Sequence, residues 1–210
     1  MDSYARDPNL LNFKTEKVRD TKWNQDPKPW IKSPFKKHTT SAESHLLFDV
    51  AKRVGPGNYA DLGVMHGGST ATLAHGLFAG GHRGSIYAVD YFGSVGKGPH
   101  SGSKNAPSKI LDYFSDTFPP EIELNICIGD ISDWGRKIIS PFKFVFIDGD
   151  HDYPHARSDF TIWGQLVEYK GLLAFHDTHF LSVNKVISEI GDNWKLIDHI
   201  FSIKLFQKIR

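Results

Sequence analysis

Asn58-Tyr-Ala-Asp-Leu-Gly-Val-Met-His-Gly-Gly-Ser-Thr70 is the stretch that decides the fold class of this chain. A short apolar strand leads into Asp61, Gly63 follows, and the turn closes on Gly67 and Gly68, after which Ala71 to Phe78 takes up helical periodicity. Strand, glycine turn and helix in that order form the repeating unit of an open α/β sheet. Glycines there let the backbone come close to a ligand, and the helix N-terminus offers unpaired N–H groups. A phosphate-binding loop would need Gly-Lys-Ser/Thr and a dinucleotide fingerprint would need Gly-x-Gly-x-x-Gly. This turn has neither, because Met65 fills the middle glycine position.

On the N-terminal side, Leu46, Leu47, Val50, Ala51 and Val54 mark one face of a helix that starts near Ser41, behind a Ser or Thr cap, and stops at Gly55-Pro56-Gly57. Residues 1–40 read differently. They are polar and rich in Lys and Pro, with Phe13, Trp23, Trp30 and Phe35 scattered among helix-breaking prolines, and we read them as an N-terminal arm or lid attached to one domain over 41–210. Its tryptophans suit packing over a substrate pocket or onto another copy, which makes a homo-oligomer an expectation.

On the C-terminal side, Ser85 to Asp90 reads as a second strand, and the acidic residue that ends it is placed to accept hydrogen bonds from a ribose diol. Phe92 to Pro107 is rich in Gly, Ser and Lys and reads as a lid loop at the same sheet edge. Helical spacing over Ser108 to Phe118 is followed by a strand, Ile122 to Ile128, closing on Gly129-Asp130. Phe142 to Ile147 is the most continuous apolar run, as expected of a central parallel strand buried on both faces. A helix then carries Phe160, Trp163, Leu166 and Val167 on one side, a further strand spans Gly171 to Phe175, another helix carries Val183, Val186, Ile187 and Ile190, and two last runs form a hairpin. Strands alternating with helices imply a doubly wound, mostly parallel sheet covered on both faces.

Composition narrows the partners. The 210 residues carry a formal net charge of +1, so no long-range field favours a polyanion, and nucleic acid is not expected. The single cysteine, Cys127, excludes an intrachain disulfide and a four-cysteine zinc site, and its apolar flanks suit a small buried hydrophobe. No signal-peptide core or membrane-spanning run is present, and we expect a cytoplasmic protein that binds no membrane.

Chemistry-bearing residues crowd the ends of the two most apolar strands: Asp148, Asp150 and His151 after one, His176, Asp177 and His179 after the next. Adjacent parallel strands would bring both clusters within reach of one cation, and oxygen-rich ligation with an imidazole suits Mg²⁺ or Mn²⁺. His66, in the glycine turn, reads as a loop histidine rather than a second base.

Asp61-x-Gly-x-x-x-Gly-Gly-Ser-Thr70, Asp90, Ile147-Asp-Gly-Asp-His-Asp-Tyr153 and Leu172-Leu-Ala-Phe-His-Asp177 together resemble the class I, metal-dependent O-methyltransferases of small molecules, particularly the branch with macrolide-sugar and cephalosporin-pathway enzymes. The resemblance covers about residues 42–210 and implies a Rossmann-like, mostly parallel seven-stranded sheet with a C-terminal antiparallel hairpin. It implies S-adenosylmethionine as cofactor, held by Asp61, Gly63, Gly67, Gly68, Ser69, Asp90, Asp130 and Asp148. It further implies Mg²⁺ or Mn²⁺ on Asp148, His176 and Asp177, His151 as catalytic base, and a small-molecule hydroxyl (sugar, diol or catechol-like) as acceptor. The sequence departs from the family at His176, where an acidic residue is usual. Two other readings stay open at this stage: a metal-dependent hydrolase or hydroxylase on the same scaffold, and a non-catalytic cofactor-binding module.

Overall fold

The computed structural model describes residues 33–93 and 104–210. Most of the expected arm, with Phe13, Trp23 and Trp30, and the centre of the expected lid loop, 94–103, lie outside the described residues. The described elements run α1 (Ser41–Val54), β1 (Gly57–Leu62), α2 (Gly68–Ala79), β2 (Gly84–Asp90), α3 (Ala106–Thr117), β3 (Ile122–Ile128), α4 (Ile131–Lys137), β4 (Phe142–Ile147), α5 (Tyr153–Leu166), β5 (Val167–Phe175), α6 (Leu181–Ser188), β6 (Trp194–Ile200) and β7 (Ile203–Lys208).

The seven strands form one sheet in the order β3-β2-β1-β4-β5-β7-β6. β1 to β5 are parallel, and only β7 on β5 and β6 on β7 are antiparallel. The chain therefore passes to the far edge at β6 and folds back to insert β7 beside β5.

Two apolar layers follow from the two-residue period of the strands. Tyr59, Ile86, Phe144 and Phe146 face α1, α2 and α3 through Leu47, Val50, Leu73, Leu77 and Ile110. Leu62, Val145, Leu173 and Phe175 face the other way, toward Trp163, Phe160 and Val186 on α5 and α6. Phe144 lies at the centre of the first layer and has no exposed surface. Phe144→Ala should therefore destabilise the protein by about 3–5 kcal/mol in denaturant unfolding. A loss under about 1 kcal/mol would mean that this layer can collapse around the cavity.

Two elements differ from the expectation. Residues after Gly129 form the short helix α4, whose N-cap is Asp130: its carboxylate accepts the Asp133 N–H at 2.8 Å and caps the first turn. Val167, expected on the helix, is the first residue of β5, which starts four residues before Gly171; its pairing with β4 shifts register between Phe142 and Phe144. The bulge absorbs the extra residues, including Lys170 at φ 65°. Cys127 is buried as expected, and burial pushes its thiol up to about 11.

Candidate active site

The parallel strands β1, β2, β4 and β5 end side by side, so the turns that follow them meet at one edge of the sheet. Ile147 pairs with Leu62 on one side and with Phe175 on the other. One residue on, Asp148 N–H donates to Leu62 O (2.8 Å) and His176 N–H to Ile147 O (3.0 Å). These bonds carry the sheet register into the turns.

Gly63 makes this convergence feasible. It has φ +93°, and a Cβ there would lie 2.0 Å from the Asp148 carbonyl oxygen. The β1 and β4 turns touch through their backbones only because no side chain separates them. Gly67 serves as the left-handed N-cap of α2 (φ 89°, ψ 12°), and α2 begins without a side-chain cap. Its first N–H groups and dipole therefore favour an anion such as a cofactor carboxylate.

Beneath this turn Asp61 is fully buried and accepts hydrogen bonds from Ser69 Oγ (2.8 Å) and Thr70 Oγ1 (2.5 Å). Its other oxygen, Oδ1, is buried and has no hydrogen-bond partner. Burial pushes its carboxyl up to about 7, against the two hydroxyl donors and with some help from the Asp148 and Asp90 charges. Asp61 thus fastens strand to helix and keeps one polar oxygen unmatched, as a site built for a polar ligand would.

Asp90 accepts the Met65 N–H and the Phe92 N–H, each at 2.7 Å. Both donors stand in the left-handed region, Met65 at φ 52° and Phe92 at φ 48°. The carboxylate therefore stabilises the strained turn that brings β1 and β2 together. Each of its oxygens retains a second lone pair for a diol. Asp130, besides capping α4, accepts the Tyr91 hydroxyl at 2.8 Å. The end of the arm reaches the same turn: the His38 ring stacks on His66 with centroids 5.9 Å apart, and Lys36 and Lys37 lie against Gly68.

The second half of the site is an Asp–His cluster. Among the described residues, Asp148, His151 and Asp177 each present a ligating atom within 4.8 Å of the others. His151 Nε2 lies 2.7 Å from Asp177 Oδ2, and its ring stacks on Phe180 at 4.8 Å. Contact with Asp177 raises the His151 pKa, outweighing burial. Asp177 itself, at φ 52°, is held well below the usual carboxylate range: burial opposes its charge, and His151 and His176 overcome that.

His176, expected among the metal ligands, lies on the buried side of this group. Nδ1 is 2.9 Å from Asp148 Oδ1 and 3.3 Å from Asp177 Oδ2, contacts of charge rather than well-directed hydrogen bonds. Nε2 faces Ser202 Oγ at 3.2 Å and Glu43 Oε2 at 3.7 Å. Burial disfavours the imidazolium, yet Asp148, Asp177 and Glu43 together push its pKa up to about 12. Asp148 moves upward, through burial and the Asp177 charge. Two carboxylates that share one cation split in this way, Asp177 ionising first.

Sequence reasoning missed Glu43 and Ser202. Thr40-Ser-Ala-Glu43 is a capping-box pattern, but such boxes ordinarily sit on the surface. Asp150, named with the cluster, turns outward and pairs with His155 at 3.5 Å on the exposed start of α5, whereas His179, itself largely exposed, keeps Nδ1 at 3.8 Å from Asp177 Oδ1.

A doubly wound sheet with a glycine turn after β1, an acidic end to β2 and polar residues at the ends of β4 and β5 defines an α/β enzyme that binds a nucleotide-like cofactor at its carboxyl edge. The family model of the methyltransferase domain matches residues 60–178, more than half the chain, and the chain belongs to that family. It is a methyltransferase. Among solved structures, the O-methyltransferase NovP is similar at 16% identity over 80% of each chain, with a TM-score of 0.64. TomG from Streptomyces achromogenes, an O-methyltransferase involved in tomaymycin synthesis and solved in complex with SAM, gives 12% identity over 82% of each chain and 0.58. A putative rRNA-methylase from Clostridium thermocellum gives 14% identity over 83% of this chain and 99% of its own, with 0.59. These likenesses are of fold. No described helix is long and apolar enough to cross a membrane.

Proposed function

We propose that this methyltransferase transfers the methyl group of S-adenosylmethionine to a hydroxyl of a small molecule, a sugar, diol or catechol-like acceptor, with His151 as general base. The observation that carries the proposal is the His151–Asp177 pair, 2.7 Å apart, at the strand ends that adjoin the cofactor turn. NovP and TomG, both O-methyltransferases, are of the same fold, which supports oxygen as the acceptor atom. The net charge of +1 speaks for a small acceptor over the RNA suggested by the methylase relative. Family membership sets aside the hydrolase, hydroxylase and binding-module readings.

The donor supplies an already activated sulfonium methyl: a C–O bond forms as the C–S bond breaks, and the sulfur keeps the bonding pair. The protein must align an acceptor oxygen and take its proton. The proton goes to His151, whose charged form Asp177 stabilises, as in other carboxylate-oriented histidine bases. Asp90 would hold the ribose diol and the α2 start with Gly67, Gly68 and Ser69 would take the methionine end, while Asp61 fastens that turn from beneath. Asp130 and Asp148 complete the edge.

A divalent ion fits the two carboxylates, since Asp148 and Asp177 each present an oxygen within 4.8 Å of the other, with His151 beside them left to take the proton. Asp148 and Asp177 would hold Mg²⁺ or Mn²⁺, which would lower the pKa of a chelated acceptor hydroxyl.

Calorimetric titration of S-adenosylmethionine into metal-stripped protein, repeated with Mg²⁺ and Mn²⁺, tests the cofactor. Micromolar affinity, about −8 kcal/mol, is expected. Asp90→Ala should weaken it by about 10- to 100-fold, the value of hydrogen bonds to a charged acceptor. Undiminished binding by this variant would remove Asp90 from the site. Labelled-methyl transfer to catechol and to sugar diols then tests the acceptor class.

A further inference from the structure

We propose that Glu43 and Ser202, both outside the region matched by the methyltransferase model, are positioning residues of the acceptor centre, fixing His176 against Asp148 and Asp177. The inference rests on the acceptor centre described above.

Glu43 on α1 is only 2% exposed. Its Oε1 accepts from Ser202 N–H at 2.9 Å and Ser202 Oγ–H at 2.6 Å; its Oε2 accepts from Thr40 N–H at 2.8 Å and Thr40 Oγ1 at 2.9 Å. A capping box requires only the Thr40 contacts, and helix caps are normally solvated. Burying a carboxylate this deeply is costly unless it is matched by donors and a counter-charge. Here the donors are Thr40 and Ser202, and the group facing Glu43 beyond them is His176, whose Nε2 lies 3.7 Å from Oε2.

The hydroxyl of Ser202 has a single proton and gives it to Glu43, so at 3.2 Å it accepts from His176 Nε2. Nδ1 on the opposite edge of the ring faces Asp148 and Asp177. Phe146 meets the ring edge-on at 5.9 Å, and Thr178 N–H donates to Ser202 O at 3.0 Å, tying the end of β5 to the β6–β7 turn. The imidazole is thus held from α1 and the hairpin on one edge and holds the two carboxylates on the other. Asp177 in turn is the partner of His151, so the base inherits its placement from Glu43 through His176. A cap that happened to be buried would not need its second oxygen on the very serine that receives the histidine.

The test uses the full chain with S-adenosylmethionine and catechol. Glu43→Gln should lower kcat at least tenfold, with KM for catechol and cofactor affinity within threefold of the parent. Ser202→Ala should lower kcat and Ser202→Thr, which keeps the hydroxyl, should restore it. A kcat within twofold of the parent in Glu43→Gln, or a loss matched by equal loss of cofactor binding and of melting temperature, would overturn the proposal. Histidine-¹⁵N-labelled protein supplies an independent readout: the slowly exchanging His176 Nε2–H should be present in the parent and lost in Glu43→Gln. If the parent transfers no methyl to catechol, the acceptor reading fails by itself; a His176 signal surviving Glu43→Gln would then still overturn the positioning role, and its loss would support it.

Discussion

His151→Gln should lower methyl transfer to a catechol acceptor by about 10²- to 10⁴-fold, the usual contribution of a positioned general base. The glutamine keeps much of the size and polarity of the ring but takes no proton at neutral pH. S-adenosylmethionine binding should be unchanged, because the contacts of His151, with Asp177 and Phe180, lie among the proposed acceptor groups. The pH dependence carries a definite sign. As the proposed base His151 would act in its neutral form, and Asp177 raises its pKa above the ordinary 6.5. Activity should therefore be full at alkaline pH and fall as pH drops through a value above 6.5. In Asp177→Asn the stabilising charge is absent, so the acid limb should move to lower pH while the maximal rate falls. His151→Gln retaining more than about a tenth of the parent rate, or an acid limb below 6.5 in the parent, would assign the base to another group.

Gly63→Ala should both destabilise the fold and abolish tight cofactor binding. A Cβ at this position would lie 2.0 Å from the Asp148 carbonyl oxygen, 2.5 Å from its carbon and 2.9 Å from Gly149 N. All three are backbone atoms, so no side-chain rotation relieves the clash. The φ of +93° adds strain for any residue with a Cβ. Overpacking and backbone strain together amount to about 2–6 kcal/mol. Relief requires the ends of β1 and β4 to part, which breaks the Asp148 N–H to Leu62 O bond and moves both halves of the site at once. Denaturant unfolding and calorimetry measure the two effects. Parent-like stability together with cofactor affinity within threefold would show that these turns are not in the rigid contact described.

Much of this was legible in the sequence because it is encoded locally. The apolar run Phe142 to Ile147 reads as a buried strand without knowledge of its neighbours, and Gly63, Gly67 and Gly68 announce a turn by the freedom they give the backbone. Asp90, Asp148 and Asp177 could be placed at strand ends because the architecture puts every parallel carboxyl end on one edge. The start of β5 at Val167 was not legible, since Leu166 and Val167 fit either period and the bulge against Phe142 is a pairing event. Nor was α4, whose seven residues are too few to show a period, although its Asp130 cap is a local signal.

The sequence by itself determined the class of fold, the position of the glycine turn and the set of acidic and imidazole groups that meet at the sheet edge. Only the tertiary structure decided how those groups are arranged. His176 and His151 stand near the same carboxylates in the chain's own order, yet one is enclosed between Glu43, Ser202 and Asp148 while the other is partly exposed beside Phe180. The proton affinity of a histidine depends on which carboxylates surround it and how much water reaches it. Glu43 and Ser202 are 159 positions apart, a distance that no local pattern spans.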